Sequence, residues 1–229
     1  MGQGDGERVA WCDGGTPLST LFDDPYFSLG DGLAETRQVF LAGNGLPARF
    51  RDGFAVGELG FGTGLNLAAT LIAWQGAGAP GRLCYTSFEA YPMAPGDMAR
   101  ALAAFPEARA AAGPLLAAWG QGLRRFDIGS VAVEVIEGDA RATLPLWSGQ
   151  ADAWYLDGFS PAKNPELWGD DILRGVARRT APGGTFATYT AAGFVRRGLQ
   201  AAGFQVERQP GYGRKRHMSR GIRAGDGAK

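Results

Sequence analysis

Glu58-Leu59-Gly60-Phe61-Gly62-Thr63-Gly64-Leu65 decides the fold. Before it, Phe54 to Leu59 reads as a short strand; after it, Leu65 to Gln75 has the composition and length of a helix. Glycines at alternate positions let the chain turn tightly and let a ligand approach the backbone with no Cβ in the way. A dinucleotide fingerprint would space its glycines G-x-G-x-x-G and rest a pyrophosphate on the helix N-terminus. Here the spacing is G-x-G-x-G, and Leu65 stands where that third glycine would be. Glu58, two residues before the first glycine, repels phosphate and suits a cationic amino group. These features favour S-adenosylmethionine (SAM), which carries an ammonium at its methionine end and a sulfonium at its centre.

The same alternation continues outward. Leu83 to Glu89 is a second strand, Val131 to Val135 a half-buried one paired with Leu123 to Phe126 across Asp127–Ser130, and Ala151 to Leu156 a short buried one. Thr185 to Tyr189 follows as a further strand. Pro95 to Trp119 reads as helix broken at Phe105-Pro106 and Gly113-Pro114. Leu167 to Thr180 reads as helix stopped by Pro182-Gly183-Gly184, and Ala191 to Ala202 as helix capped by Gly203. Upstream, Val9 to Ser19 suggests a hairpin about Asp13-Gly14-Gly15, and Asp31 caps a helix over Gly32 to Ala42 that Asn44-Gly45 stops. The fold class is therefore α/β: a Rossmann-like, mostly parallel sheet with helices on both faces, plus a small N-terminal hairpin and helix extension. One domain is expected over 11–223, divided into an extension (11–52) and a core (53–223), with loose ends at 1–10 and 224–229.

In such a sheet, ligands sit at the carboxyl ends of the strands. Glu89 ends the second strand, where a carboxylate can accept both ribose hydroxyls of a nucleoside cofactor. Asp139, after the Val131–Glu137 stretch, is placed to accept from an adenine amine. The sharpest segment is Asp157-Gly158-Phe159-Ser160-Pro161-Ala162-Lys163-Asn164-Pro165, directly after a buried strand. A carboxylate such as Asp157 can accept hydrogen bonds from an amine and aim its lone pair. An aromatic face such as Phe159 favours the positive charge that grows on nitrogen during methyl transfer. Asp157 and Phe159 are thus the expected catalytic pair.

Composition narrows the class. With 45% apolar residues among 229, the chain can bury a full core. Its longest largely apolar run, Leu67 to Trp74, is far short of the ~18 residues a membrane span needs, so no membrane association is expected and a cytoplasmic location is. Two cysteines and one histidine offer neither a disulfide framework nor a zinc cluster, and no metal is expected. The lone His217, inside a basic run, also disfavours a serine or cysteine hydrolase. Net charge is zero but polarised: nine of the 23 basic residues lie between Arg196 and Lys229 against Glu207 and Asp226, which puts this tail at +7 and the rest at −7. Such polarity is an electrostatic footprint for an anionic partner.

The sequence resembles the methyltransferase part of the bacterial MnmC/MnmD family, the tRNA 5-(aminomethyl)uridine methyltransferases. The likeness is carried by Thr16–Ser19, Phe22–Ser28, Gly32–Phe40 with Asn44, Gly57–Asn66, Ser87–Glu89, the Asp157–Pro165 loop, Ala191–Leu199 and Gly211–Arg216. It runs from about Trp11 to Gly221. The resemblance implies SAM-dependent methylation of 5-aminomethyl(-2-thio)uridine at the tRNA wobble position. It makes Asp157 the catalytic carboxylate and gives SAM to the loop of Glu58, Gly60, Phe61, Gly62, Thr63, Gly64 and Asn66, together with Glu89; Asp157 is expected to contact SAM as well. Tyr91 to Gly138 matches only loosely, so Asp139 is a weaker transfer. Lys163, Arg196, Arg197, Arg214, Lys215 and Arg216 are expected on the phosphates of the tRNA anticodon arm. Many family members continue into an FAD-dependent oxidoreductase; either a separate protein of that kind acts upstream to make the aminomethyl substrate, or the substrate arises directly. Two other readings stay open: methylation of a small-molecule amine, and a non-catalytic RNA-binding module.

Overall fold

The computed structural model describes residues 9–12, 15–28, 31–213 and 215–224. Of the expected loose ends, 1–10 and 224–229, residues 1–8 and 225–229 lie outside these, as do the turn residues Asp13-Gly14, whereas Val9 and Ala10 are paired in a strand.

The chain opens with β1 (Val9–Trp11), β2 (Pro17–Ser19) and β3 (Asp24–Pro25). The hairpin of β1 and β2 pairs Val9 with Ser19 as the sequence suggests, and β3 adds a third antiparallel strand. Asp31 then caps α1 (Gly32–Thr36), its carboxylate accepting from Ala34 N at 2.9 Å. The expected helix to Ala42 is present but changes its winding. A π-helical turn covers Arg37–Leu41 and a 3₁₀ turn Ala42–Asn44 before Gly45 stops it at φ 68°. The shift buries Val39, Phe40 and Leu41 together and brings the Asn44 amide onto the Phe40 and Trp154 carbonyls.

The core then follows: β4 (Phe54–Leu59), α2 (Leu65–Gly76), β5 (Leu83–Glu89), α3 (Pro95–Ala103), α4 (Arg109–Gly120), β6 (Arg125–Ile128), β7 (Val131–Glu137), α5 (Ala140–Leu146), β8 (Ala151–Leu156), α6 (Asp170–Arg178), β9 (Thr180–Thr188), α7 (Gly193–Ala201), β10 (Phe204–Pro210) and β11 (His217–Arg223). One eight-stranded sheet runs β10-β11-β9-β8-β4-β5-β7-β6. Its five inner strands, β9 to β7, are parallel, and the three edge strands are antiparallel. A mostly parallel sheet has to be covered on both faces, and it is. Phe54 and Val56 of β4 face the layer of α2 and α4, while Leu59 faces that of α6 and α7. Gly57 leaves the room that the Trp154 indole fills; a Cβ there would stand 2.7 Å from the ring.

Three boundaries differ from the sequence reading. The break expected at Gly113-Pro114 does not occur. Pro114 removes only the bond to the Ala110 carbonyl, and both residues are exposed, so water can replace it. The β6–β7 turn is shorter than expected, because Asp127 and Ile128 stay in the ladder opposite Ala132 and Val131. Finally, α6 ends at Arg178 and β9 already begins at Thr180. Its register with β8 shifts after Ala151, an irregularity that absorbs the Pro182-Gly183-Gly184 stretch inside the strand.

Candidate active site

The carboxyl ends of β4, β5, β7, β8 and β9 open on one cavity of about 720 Å³. It lies where the strand order reverses, with β5 on one side of β4 and β8 on the other.

One half is built by the glycine loop. Gly60, Gly62 and Gly64 all have positive φ (82°, 52° and 75°). At Gly60 the requirement is double, since a Cβ would stand 3.1 Å from the Gly158 Cα of the neighbouring loop. Gly62 N donates to Glu89 Oε2 at 2.9 Å and Tyr91 N to Glu89 Oε1 at 2.8 Å, so the carboxylate ties the two loops together. Burial raises the Glu89 carboxyl, and these backbone donors oppose the rise. Phe61 stacks on Trp119 at 5.1 Å. Gly138, Asp139, Ala140 and Arg141 close this end. Asp139 caps α5 through Arg141 N and holds the Arg141 guanidinium, which keeps its carboxyl below the usual range.

The other half gathers around Asp157. Its Oδ1 accepts from Gly158 N at 2.8 Å and its Oδ2 from Asn66 Nδ2 at 2.8 Å. Burial nonetheless pushes the carboxyl up to about 6, against the pull of Asn66, Gly158 and Lys215. Asn66 is itself fixed, donating to Glu58 Oε1 at 2.9 Å and accepting from Thr36 Oγ1 at 2.9 Å. Phe159 stacks on Phe22 at 4.7 Å and meets Tyr26 edge-on at 5.1 Å, so one face is already covered. Tyr189 Oη donates to the Gly158 carbonyl at 2.8 Å.

The structure therefore brings Gly60, Phe61, Gly62, Thr63, Asn66, Glu89, Asp139, Asp157 and Phe159 to the lining of one cavity. Two expected residues stand elsewhere. Gly64 turns into α2 against Leu115, off the cavity. Glu58 is fully buried behind Asn66 rather than facing a ligand, and burial pushes its carboxyl up to about 8. The basic residues also divide. Lys163 lines the cavity with its ammonium on Asp23, at 2.9 Å from Oδ2, and Lys215 lines it paired with Glu35 at 2.8 Å. Both are thus held by carboxylates at the site instead of standing free on a phosphate-facing surface. Arg196, Arg197 and Arg216 remain outside the cavity, and Arg214 lies outside the described residues. Arg208, Arg216 and Arg196 converge on His217, whose pKa burial and these charges lower.

A family model described as S-adenosyl-L-methionine-dependent methyltransferase matches residues 106–224, just over half of the chain. The chain belongs to that methyltransferase family. This methyltransferase is 50% identical over 230 residues to the tRNA 5-methylaminomethyl-2-thiouridine biosynthesis bifunctional protein MnmC of Caulobacter sp. (strain K31), covering 95% of the chain and 38% of that protein. The protein of the same name from Aeromonas hydrophila is 48% identical over 236 residues, covering 95% and 35%. The chain thus spans a little over a third of the length of these curated relatives. The crystal structure of MNMC2 from Aquifex aeolicus superposes with a TM-score of 0.74 at 25% identity, covering 96% of this chain and 71% of that one. The methyltransferase depends on SAM, and its cavity fits that group. The glycine loop offers backbone without Cβ atoms, and Glu89 offers a carboxylate with lone pairs to spare beside it.

Phe22, Tyr26, Glu35, Thr36 and Tyr189 also line the site, though the sequence alone gives them no role. The available signal is that the first four fall in segments carrying the family resemblance. Glu35 is also an acidic residue inside an otherwise buried helix. Among the described residues no group of side chains is arranged to hold a metal ion, and no helix is long and apolar enough to cross a membrane.

Proposed function

We propose that the methyltransferase transfers the methyl group of SAM to the primary amine of 5-aminomethyl(-2-thio)uridine at the tRNA wobble position. The observation that carries this reading is the Asp157 carboxylate, clamped by Asn66 and Gly158, beside the Phe159 ring in a cavity with a glycine-loop cradle. The tRNA chemistry in the names of the MnmC relatives supports the acceptor.

When bound, SAM supplies a methyl carbon made electrophilic by its sulfonium. In this reading Gly60, Phe61, Gly62, Thr63 and Asn66 receive its methionine end, Glu89 its ribose and Asp139 its adenine. Glu58 acts through Asn66. Asp157 accepts a hydrogen bond from the acceptor amine and so orients the nitrogen lone pair. Because nitrogen gains positive charge during transfer, an ionised Asp157 and the neighbouring aromatic ring stabilise the product side more than the reactant side. Asp157 is ionised above about pH 6, which suits a cytoplasmic enzyme.

The tail supports an RNA partner. Of its cations, Lys215, Arg220 and Arg223 are engaged by Glu35, Glu207 and the Thr180 carbonyl, whereas Arg196, Arg197, Arg208 and Arg216 have no acidic partner among the described residues. These four are the residues we assign to the anticodon-arm phosphates, three of them (Arg196, Arg208 and Arg216) gathered around His217. An FAD-dependent oxidoreductase that exposes the aminomethyl group is the matching upstream activity.

Transfer of radiolabelled methyl from SAM separates the acceptor classes. The reading predicts label in tRNA bearing 5-aminomethyluridine and none in tRNA lacking it. Equal labelling of unrelated small amines would transfer the activity to a small-molecule class. No SAM binding by calorimetry would remove the enzyme reading altogether.

A further inference from the structure

Glu35 and Lys215 are 180 residues apart in sequence, yet they meet on the cavity wall at 2.8 Å. Glu35 comes from α1 and its side chain is only 10% exposed. Lys215 comes from the turn between β10 and β11, with its Nζ 4.0 Å from the Tyr189 ring centre. Tyr189 in turn donates to the Gly158 carbonyl, so the pair is braced against the loop that carries Asp157. Both charges act on Asp157 through space, Lys215 lowering its pKa and Glu35 raising it. The pair therefore belongs to the half of the cavity built around Asp157.

For stability alone this pairing is a poor choice. Taking the Glu35 carboxylate out of water consumes much of what its attraction to Lys215 returns, and Lys215, with 42% of its side chain exposed, adds only a screened charge. Its chemistry fits an acceptor ring better. Lys215 has three N–H donors, of which Glu35 takes one, and it engages only Oε1 of Glu35. A donor and an acceptor thus stand side by side. A uracil carrying an aminomethyl group at C5 presents an exocyclic carbonyl on the next carbon and a ring N–H beyond it. With the amine at Asp157, that carbonyl and N–H follow in turn along the ring edge next to the aminomethyl carbon.

We propose that the Glu35–Lys215 pair reads the acceptor ring, Lys215 donating to the carbonyl beside the aminomethyl carbon and Glu35 accepting from the adjacent ring N–H. A cytosine ring presents an amino group and a bare ring nitrogen at the same two places. It would face Lys215 with a donor and Glu35 with an acceptor. A site built for one hydrogen-bonding pattern rejects the reversed one because Glu35, nearly out of water, is left facing an acceptor. The pair is accordingly a specificity determinant for uracil over cytosine, and this rests on the tRNA-uridine reading above.

The test compares kcat/KM for tRNAs carrying 5-aminomethyluridine or 5-aminomethylcytidine at the wobble position, in wild type, Lys215→Met and Glu35→Gln, with SAM affinity measured by calorimetry. Glu35→Gln keeps the shape of the side chain and so guards against a variant that fails to fold. Wild type is expected to prefer uridine at least 100-fold, and each variant to shrink that ratio at least tenfold while SAM affinity stays within threefold. A wild-type enzyme that methylates both rings equally would overturn the specificity role and leave the function standing. So would an unchanged ratio in Glu35→Gln. A wild-type enzyme inert on both would overturn the function itself.

Discussion

Asn66 Nδ2 donates to Asp157 Oδ2 at 2.8 Å, and the same nitrogen donates to Glu58 Oε1 at 2.9 Å. One amide thus stands between two carboxyl groups, and Thr36 Oγ1 on its oxygen at 2.9 Å prevents it from turning over. A donor on the ionised form lowers a carboxyl pKa. Removing it by Asn66→Ala should move Asp157 above its present value of about 6. The acid limb of the kcat/KM profile should shift to higher pH, with a loss of at least tenfold at pH 6.5 and a smaller one at pH 8.5. A limb that stays in place would show that Asn66 does not set the state of Asp157.

Asp157 itself carries a linkage signature. Its folded pKa of about 6 exceeds its ordinary value of 3.8, so the folded state binds the proton more tightly than the unfolded one. Its contribution to stability is complete below pH 4 and is lost as the pH rises through 6. The ionised group then costs about 3 kcal/mol. Asp157→Asn should therefore melt higher than wild type at pH 7.5 and together with it at pH 4, while its methyl transfer is abolished and SAM still binds. Scanning calorimetry at the two pH values checks the first part, and a variant no more stable at pH 7.5 would refute the burial argument.

The arginines around His217 make a separable prediction. Arg208→Ala combined with Arg216→Ala should weaken tRNA binding at low salt and flatten the plot of log affinity against log salt. Each lost phosphate contact removes about 0.7–0.9 from the slope, so the double variant should be shallower by about 1.5. Fluorescence anisotropy over a salt series measures this. An unchanged slope would place the tRNA on another face.

How much of this was legible in the sequence follows from what is local and what is not. The β4–loop–α2 unit is readable because glycine spacing and helix composition act over a dozen residues. Asp157 is readable because it sits at the end of a buried strand. The helix after Asp31 is readable because its cap and its Asn44-Gly45 stop lie within a short stretch of chain. The two-residue β3 carries no periodicity to detect, and the π turn at Arg37–Leu41 hides inside an ordinary apolar stripe. Pro114 misleads because an exposed carbonyl can dispense with its partner. The placement of Lys163 and Lys215 beside Asp23 and Glu35 is illegible, since a charge count cannot say which carboxylate a lysine meets 140 or 180 residues away. Glu58 misleads in the other direction: its position before the glycines suggests a ligand contact, while the pleat of β4 aims it beneath Asn66.

The most direct test of the account is mass spectrometry of wobble nucleosides. tRNA carrying 5-aminomethyl-2-thiouridine is incubated with the enzyme and SAM, then digested. The account predicts that this nucleoside is replaced by one heavier by a single methyl group on its exocyclic nitrogen, with wild type and not with Asp157→Ala. An unmodified wobble nucleoside, or a methyl group found on another atom or at another position, would contradict it.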